Sequence, residues 1–356
     1  MERKKINSPA FFIGKGQGDD LISFGSGQPD LPPPKEVFEA LNNYQCFKYC
    51  LVQGSQKLRD ALSTKYEDTT PEQFVITNGA SEALDLVLRA LYVKGGKVAI
   101  PRPYYYSYPH NVRLAHLEVV YYDLVDGKID IENFKAQAEG CVAVIINSPS
   151  NPTGTVQNKE TLKACQKFCE EKGVLVISDN VYKDLFYTDE NYCVQGPNVI
   201  TIDSFSKSYS MCGFRVGYLH SWDGDLVEKI VEMKSHTSMN TSIMSQEAAY
   251  AAATKVPQGF LDETLKIWRE RRNTFYQGML DLGLDVWNPE GAFYLFPKIK
   301  NPSKACNDLY YDYNIITYDG TWFGDDTRLR FSYALDVEKI EIGLKRLKEY
   351  LKTIED

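Results

Sequence analysis

The arrangement of apolar and polar positions divides the chain into three stretches. From Phe74 onward, short runs rich in β-branched residues alternate with helical periodicity: FVIT at Phe74, KVAI at Lys97, EVVYY at Glu118, VAVII at Val142, VLVIS at Val174 and VITID at Val199. Each run is apolar at nearly every position, as strands buried on both faces require, and helical stretches separate them. Such alternation predicts an α/β fold: a three-layer α/β/α large domain with a mainly parallel sheet. Right-handed crossovers then set the strand C-termini along one edge, where sheets of this kind bind ligands. Beyond Gly217 the pattern turns helical, through DLVEKIVEMKSH, SIMSQEAAYAAATK and a long charged segment from about Gln258 to Leu282. The remainder carries PEGAFYLFP, YDYNIIT and TRLRFSYAL and closes on the amphipathic VEKIEIGLKRLKEYLKTI, the pattern of a smaller α+β domain. Ahead of Phe74, the segment to Asp20 has little periodicity, and its GKGQG at Gly14 follows no strand and is therefore not a dinucleotide loop. Ser23 to Pro34 is a glycine and proline turn, a short helix starts near Lys35, and another follows Gly54. The expected organisation is an N-terminal arm and small-domain segment over 1–40, a large domain over 41–270 and a small C-terminal domain over 271–356.

Composition narrows the function classes. With 356 residues, 43% of them hydrophobic and 25% charged, the chain has the make-up of a globular protein. A net charge of -8 and scattered basic residues argue against a nucleic-acid partner. No run approaches a membrane span, and the charged start at Met1 leads into no signal-peptide core, so a cytoplasmic protein without a membrane partner is expected. The eight cysteines are irregularly placed, which favours free thiols; Cys165 and Cys169, and Cys46 and Cys50, have i,i+4 spacing. With no CxxC pair and four histidines that share no motif, no metal site is expected.

The chemistry concentrates in a few strings. Thr201 to Gly217 reads TIDSFSKSYSMCGFRVG and places Lys207 just after an apolar run. A partly desolvated lysine with a cation nearby, here Arg215, loses its proton readily and condenses with aldehydes. Ser204, Ser206 and Arg215 offer the hydroxyls and guanidinium fork that a phosphate monoester requires. A phosphate beside a nucleophilic lysine suggests pyridoxal phosphate. Asn78-Gly79-Ala80-Ser81 joins a strand to a helix, and the free N–H groups there supply another side of the same anion site. In N-S-P-S-N-P-T-G, from Asn147 to Gly154, two prolines and a glycine force a rigid turn, with one X-Pro bond expected to be cis. That turn would present the Asn151 amide to the cofactor's phenolic oxygen or, alternatively, use Asn151 to cap the following helix. Asp179 ends an apolar strand and must be paired, by a helix cap or by a pyridinium nitrogen that it keeps protonated. Tyr182, three residues on, would reach the phenolic oxygen from the other side.

SFSKSYSMCGFRVGY resembles the pyridoxal-phosphate lysine signature of the class I aminotransferases of fold type I, and the resemblance runs over almost the whole chain. It implies that Lys207 holds the cofactor covalently and then shuttles a proton, with Asp179 and Tyr182 as further catalytic groups. It implies that Tyr105 stacks on the ring, with Tyr104 the alternative in a run of three tyrosines, and that Tyr49 reaches across a homodimer to the neighbouring phosphate. It implies a substrate-side backbone at Gly27, which also reads as a plain turn, and a carboxylate clamp at Arg330, with a salt-bridge role for Arg330 or Arg328 left open. The reaction implied is a ping-pong exchange of an amino group between an amino acid and a 2-oxo acid. The same cofactor residues also occur in lyases and decarboxylases and, in another class, in non-catalytic regulators. Some similar aspartate aminotransferases carry a lysine where this chain has Ser81, so dicarboxylate recognition by that route is in doubt.

Overall fold

The computed structural model describes residues 4–12, 20–42, 44–257 and 259–355; the GKGQG string lies outside them. The strands are β1 Ile22–Ser23, β2 Phe74–Thr77, β3 Lys97–Arg102, β4 Glu118–Val125, β5 Lys128–Ile129, β6 Ala143–Asn147, β7 Leu175–Asp179, β8 Val199–Ser204, β9 Gly217–Ser221, β10 Tyr294–Leu295, β11 Ile315–Ile316, β12 Tyr318–Asp319 and β13 Leu329–Ser332. Eight of them form one sheet in the order β2-β9-β8-β7-β6-β3-β4-β5. The run from β8 to β4 is parallel, whereas β9 is antiparallel to both β2 and β8, and the short β5 is antiparallel to β4.

Strand alternation explains why the apolar runs carry no polar face. Ile145, Ile177 and Ile200 point to one side, against the helices Ala80–Ala90 and Gly224–Thr237. Val144, Val176 and Val199 point to the other, against Ile131–Ala138 and Lys159–Lys172. Both faces are therefore sealed, and function is left to the strand ends. Cys165 and Cys169 are buried on the helix Lys159–Lys172, whereas Cys46 and Cys50 lie in irregular chain between Tyr44 and Gly54.

A second core belongs to the C-terminal part. The helices Gly259–Asp281, Pro302–Tyr313 and Val337–Glu355 pack around the small sheet β10-β13-β12, with Trp268, Phe275, Phe293 and Phe331 fully buried. The N-terminal segment is stitched to this body: β1 pairs in parallel with β11, and Phe24 exchanges backbone hydrogen bonds with Ile316 and Ser332. Among the described residues, no helix is long and apolar enough to cross a membrane.

Candidate active site

The C-terminal ends of β6, β7 and β8 lie side by side, with Asn147 opposite Asp179 and Asp179 opposite Ile202. Above them, facing Tyr294, Tyr318 and Arg330 of the C-terminal part, opens a cleft of about 790 Å³. It is lined by the predicted Gly27, Ala80, Ser81, Tyr105, Asn151, Asp179, Tyr182, Ser204, Ser206, Lys207, Arg215 and Arg330. Sequence positions as far apart as 27 and 330 thus meet in one place.

One end of the cleft is built for an anion. Gly79 caps the helix Ala80–Ala90 at φ +77° and offers no side chain, so the first N–H groups of that helix are unserved. A Cβ at Gly79 would lie 2.6 Å from Arg215 Nη2, so only glycine lets the guanidinium lie against the turn. Arg215 itself sits in the left-handed region at φ +51°, its Nη1 donating to Cys212 O at 3.0 Å. Ser204 Oγ accepts from the Ser206 N–H and lies 2.8 Å from Ser206 Oγ. Helix terminus, guanidinium and hydroxyls converge on one spot, the donor set of a phosphate monoester.

Lys207 stands on the single helical turn Phe205–Ser208 directly after β8. Its Nζ donates to Gly27 O at 2.6 Å and lies 3.9 Å from Cys212 Sγ. Burial pulls its pKa below the ordinary lysine range, and the charges of Arg330 and Arg215 act the same way. The amine is thus biased toward its nucleophilic form.

Asp179 closes the floor. Burial raises its carboxyl pKa to about 6, against the opposing effect of the Tyr108 hydroxyl, which donates to Oδ2 at 2.6 Å. A carboxylate that lines the cleft and has no ion-pair partner among the described residues fits a pyridinium nitrogen. Tyr108 was not singled out from the sequence; it is the last tyrosine in PYYYSYP and starts the helix Tyr108–Leu114. In the turn after β6, both Ser148–Pro149 and Asn151–Pro152 are cis, one more than expected, as is Arg102–Pro103. Asn151 does not cap the next helix, because Asn158 does so by accepting from the Thr161 N–H. Asn151 Oδ1 instead accepts from Arg330 Nη1 at 3.0 Å, which leaves its Nδ2 donors for a ligand. Tyr182 OH is 2.7 Å from Tyr294 OH.

The two arginines part company. Arg328 precedes β13, packs on the Trp287 ring at 3.9 Å and pairs with Asp285 and Asp325. Arg330, within β13, is 2% exposed and held among the rings of Tyr294, Tyr318 and Phe323. Its hydrogen-bond partners, Asn151 Oδ1 and Gly25 O, are neutral, and its buried Nε has none. A buried cation in this state calls for an anion from outside the chain. Tyr105 and Tyr106 line the cleft, whereas Tyr104 turns away to stack on Tyr121. Tyr49, 84% exposed, does not reach the cleft of its own chain.

Sequence reasoning also missed an ion pair behind β8. Lys183 Nζ lies 2.5 Å from Asp203 Oδ2, which also accepts from Tyr218 OH at 2.7 Å. Burial pulls the Lys183 ammonium down, but Asp203 together with Tyr218, Tyr66 and Asp184 outweighs it and leaves the pKa well above the ordinary lysine range. The pair joins the turn carrying Tyr182 to the strand end carrying Ser204. Asp203 in an otherwise apolar run was the available signal.

Comparison with known proteins finds relatives over nearly the whole chain. The family model "Aminotransferase class I and II" matches residues 19–347. An aspartate aminotransferase of Bacillus subtilis is 30% identical, over 95% of this chain and 93% of that protein. A solved aspartate aminotransferase of Thermus thermophilus, a double mutant, superposes with a TM-score of 0.92 at 27% identity, covering 97% of both chains. An aromatic aminotransferase of Pyrococcus horikoshii gives 0.89 at 26% identity, covering 98% of this chain and 100% of that one.

Proposed function

We infer the function from this premise: the chain belongs to aminotransferase class I and II, and it is an aminotransferase, transferring an amino group between an amino acid and a 2-oxo acid. We propose the following division of labour. The helix terminus at Ala80 and Ser81, with Ser204, Ser206 and Arg215, would hold the phosphate of pyridoxal phosphate, and Gly79 gives Arg215 its room. Asp179 would meet the ring nitrogen, Tyr105 the ring face, and Asn151 with Tyr182 the phenolic oxygen. When bound, the cofactor supplies the aldehyde that takes up the amino group and the ring that withdraws electrons from Cα.

The remaining steps belong to the protein. Arg330 clamps the substrate α-carboxylate with its guanidinium fork, helped by Asn151 Nδ2, and so fixes which bond at Cα stands toward Lys207. Lys207 Nζ, whose proton affinity is lowered by burial and by the two arginines, takes the proton from Cα and returns one from the same side. Ionised Asp179 holds the ring nitrogen's proton. The rings that line the cleft, Tyr105, Tyr182 and Tyr294 among them, would limit the access of water to the reacting carbon. The carrying observation is the desolvated Lys207 amine facing the buried, unneutralised Arg330 across one cleft. A homodimer in which Tyr49 completes the partner's phosphate site is part of the proposal, as is a cytoplasmic location. Its support is that Tyr49 is exposed and on irregular chain beside the also exposed Phe47 and Leu51.

The test is spectroscopic. Protein loaded with pyridoxal phosphate should show a visible band that borohydride bleaches; Lys207→Ala should lack it and lose turnover by at least about 10³-fold. A colourless wild-type protein, or a Lys207→Ala variant with normal turnover, overturns the assignment. Solved neighbours of nearly equal likeness carry aspartate in one name and aromatic in another, so likeness does not select the donor.

A further inference from the structure

The cleft's charges allow the donor class to be chosen. Three cationic side chains line it: Lys207, Arg215 and Arg330. On the reading above each is committed, to the cofactor's aldehyde, the phosphate and the α-carboxylate, and the inference rests on those assignments. No other lysine or arginine and no histidine lines the cleft among the described residues, and Asp179 is its only carboxylate. The nearby basic residues Lys65 and Lys183 line a separate cavity of about 290 Å³ behind β8.

What remains around Arg330 is aromatic. The Tyr318 ring lies 4.6 Å from the Arg330 guanidinium carbon and makes an edge contact with Trp322 at 5.6 Å. Tyr106 meets Tyr105 at 4.8 Å and Phe323 at 6.1 Å, both edge-on. Phe323, fully buried behind them, lies 4.8 Å from the same guanidinium carbon, and Tyr106 and Tyr318 are the rings that line the cleft beside Arg330, where a side chain on a clamped α-carboxylate extends. Such a wall gains from burying an apolar ring and has nothing to neutralise a second carboxylate. Ser81, at the helix terminus, supplies only a hydroxyl.

We propose that the amino donor carries an uncharged aromatic side chain, and that aspartate and glutamate are poor donors. The side chain is held by Tyr106 and Tyr318 through ring contacts, and discrimination against dicarboxylates comes from leaving their distal charge unpaired.

The experiment uses the cofactor-loaded protein. Bleaching of its visible band is followed after adding phenylalanine, tyrosine, leucine, aspartate or glutamate, and calorimetry measures binding of the unreactive 3-phenylpropanoate and succinate. Phenylalanine or tyrosine should bleach the band with a second-order rate at least about 100-fold above aspartate, and 3-phenylpropanoate should bind at least about tenfold tighter than succinate. Aspartate faster than the aromatic donors, or succinate binding more tightly, overturns the inference while leaving the aminotransferase reading intact; a cation lent by a partner subunit would show itself in this way. Failure of every amino acid to bleach the band overturns the site assignments and the inference with them.

Discussion

Replacing Asp179 with asparagine should stabilise the cofactor-free protein above neutral pH. The carboxyl is enclosed at the end of β7, where burial moves its pKa from the ordinary 3.8 to about 6. That gap of about 2 units corresponds to about 3 kcal/mol. The folded state binds this proton more tightly than the unfolded chain, so the stabilising contribution is complete below the unfolded pKa and is lost as pH rises through about 6. At pH 8 the wild type bears the cost of an ionised, largely enclosed carboxylate that only the Tyr108 hydroxyl partly offsets. The asparagine bears none, and its amide oxygen still accepts from Tyr108 OH. Urea denaturation of the two cofactor-free proteins from pH 4 to 8, followed by tryptophan fluorescence, should show the variant about 2–3 kcal/mol more stable at pH 8. The gap should close toward pH 4. Adding pyridoxal phosphate should reverse the order, since the ring nitrogen gives the carboxylate its cation. A variant less stable than wild type at pH 8, or a gap that ignores pH, would refute this account of Asp179.

Three further outcomes follow from the geometry. Arg330→Gln removes the guanidinium that donates to Asn151 Oδ1 and should lower kcat/KM by about 10²–10³-fold in steady-state assays, leaving the visible band in place. Lys183→Met strands the Asp203 carboxylate and should destabilise the fold by about 3–5 kcal/mol in chemical denaturation, whereas Lys183→Met with Asp203→Leu should recover most of the loss. Gly79→Ala puts a Cβ at 2.6 Å from Arg215 Nη2 in a left-handed backbone, so calorimetric affinity for the cofactor should fall about tenfold or more.

How legible the molecule was in its sequence depended on how local each signal is. β6, β7 and β8 read directly because a strand buried on both faces shows a mostly apolar run instead of an alternating pattern. Lys207, Arg215 and Asn151 read because their neighbours, serine, glycine and proline, restrict the backbone around them. The second cis bond in that turn, the antiparallel β9 and the β1–β11 pairing did not read, because each depends on residues far away in sequence. Tyr108 was hidden among similar tyrosines, and the hydrogen bond its hydroxyl donates to Asp179 Oδ2 distinguishes it. Asp203 was the real omission: the argument that a carboxylate in a buried strand must be paired, applied to Asp179, applies to it equally. The ambiguity between Arg328 and Arg330 turned on where the strand begins, which pattern alone leaves uncertain by a residue or two.

The stitching of the N-terminal segment onto the C-terminal lobe has a mechanical consequence. Arg330 Nη2 donates to Gly25 O, and Lys207 rests on Gly27 O two residues away. The opposite ends of the polypeptide therefore form a single jaw, and whatever tilts that jaw carries the anchor for the substrate's acid group and the resting place of the amine together. Trimming the leading residues up to this segment would thus reach the reacting centre as directly as a change in the last lobe.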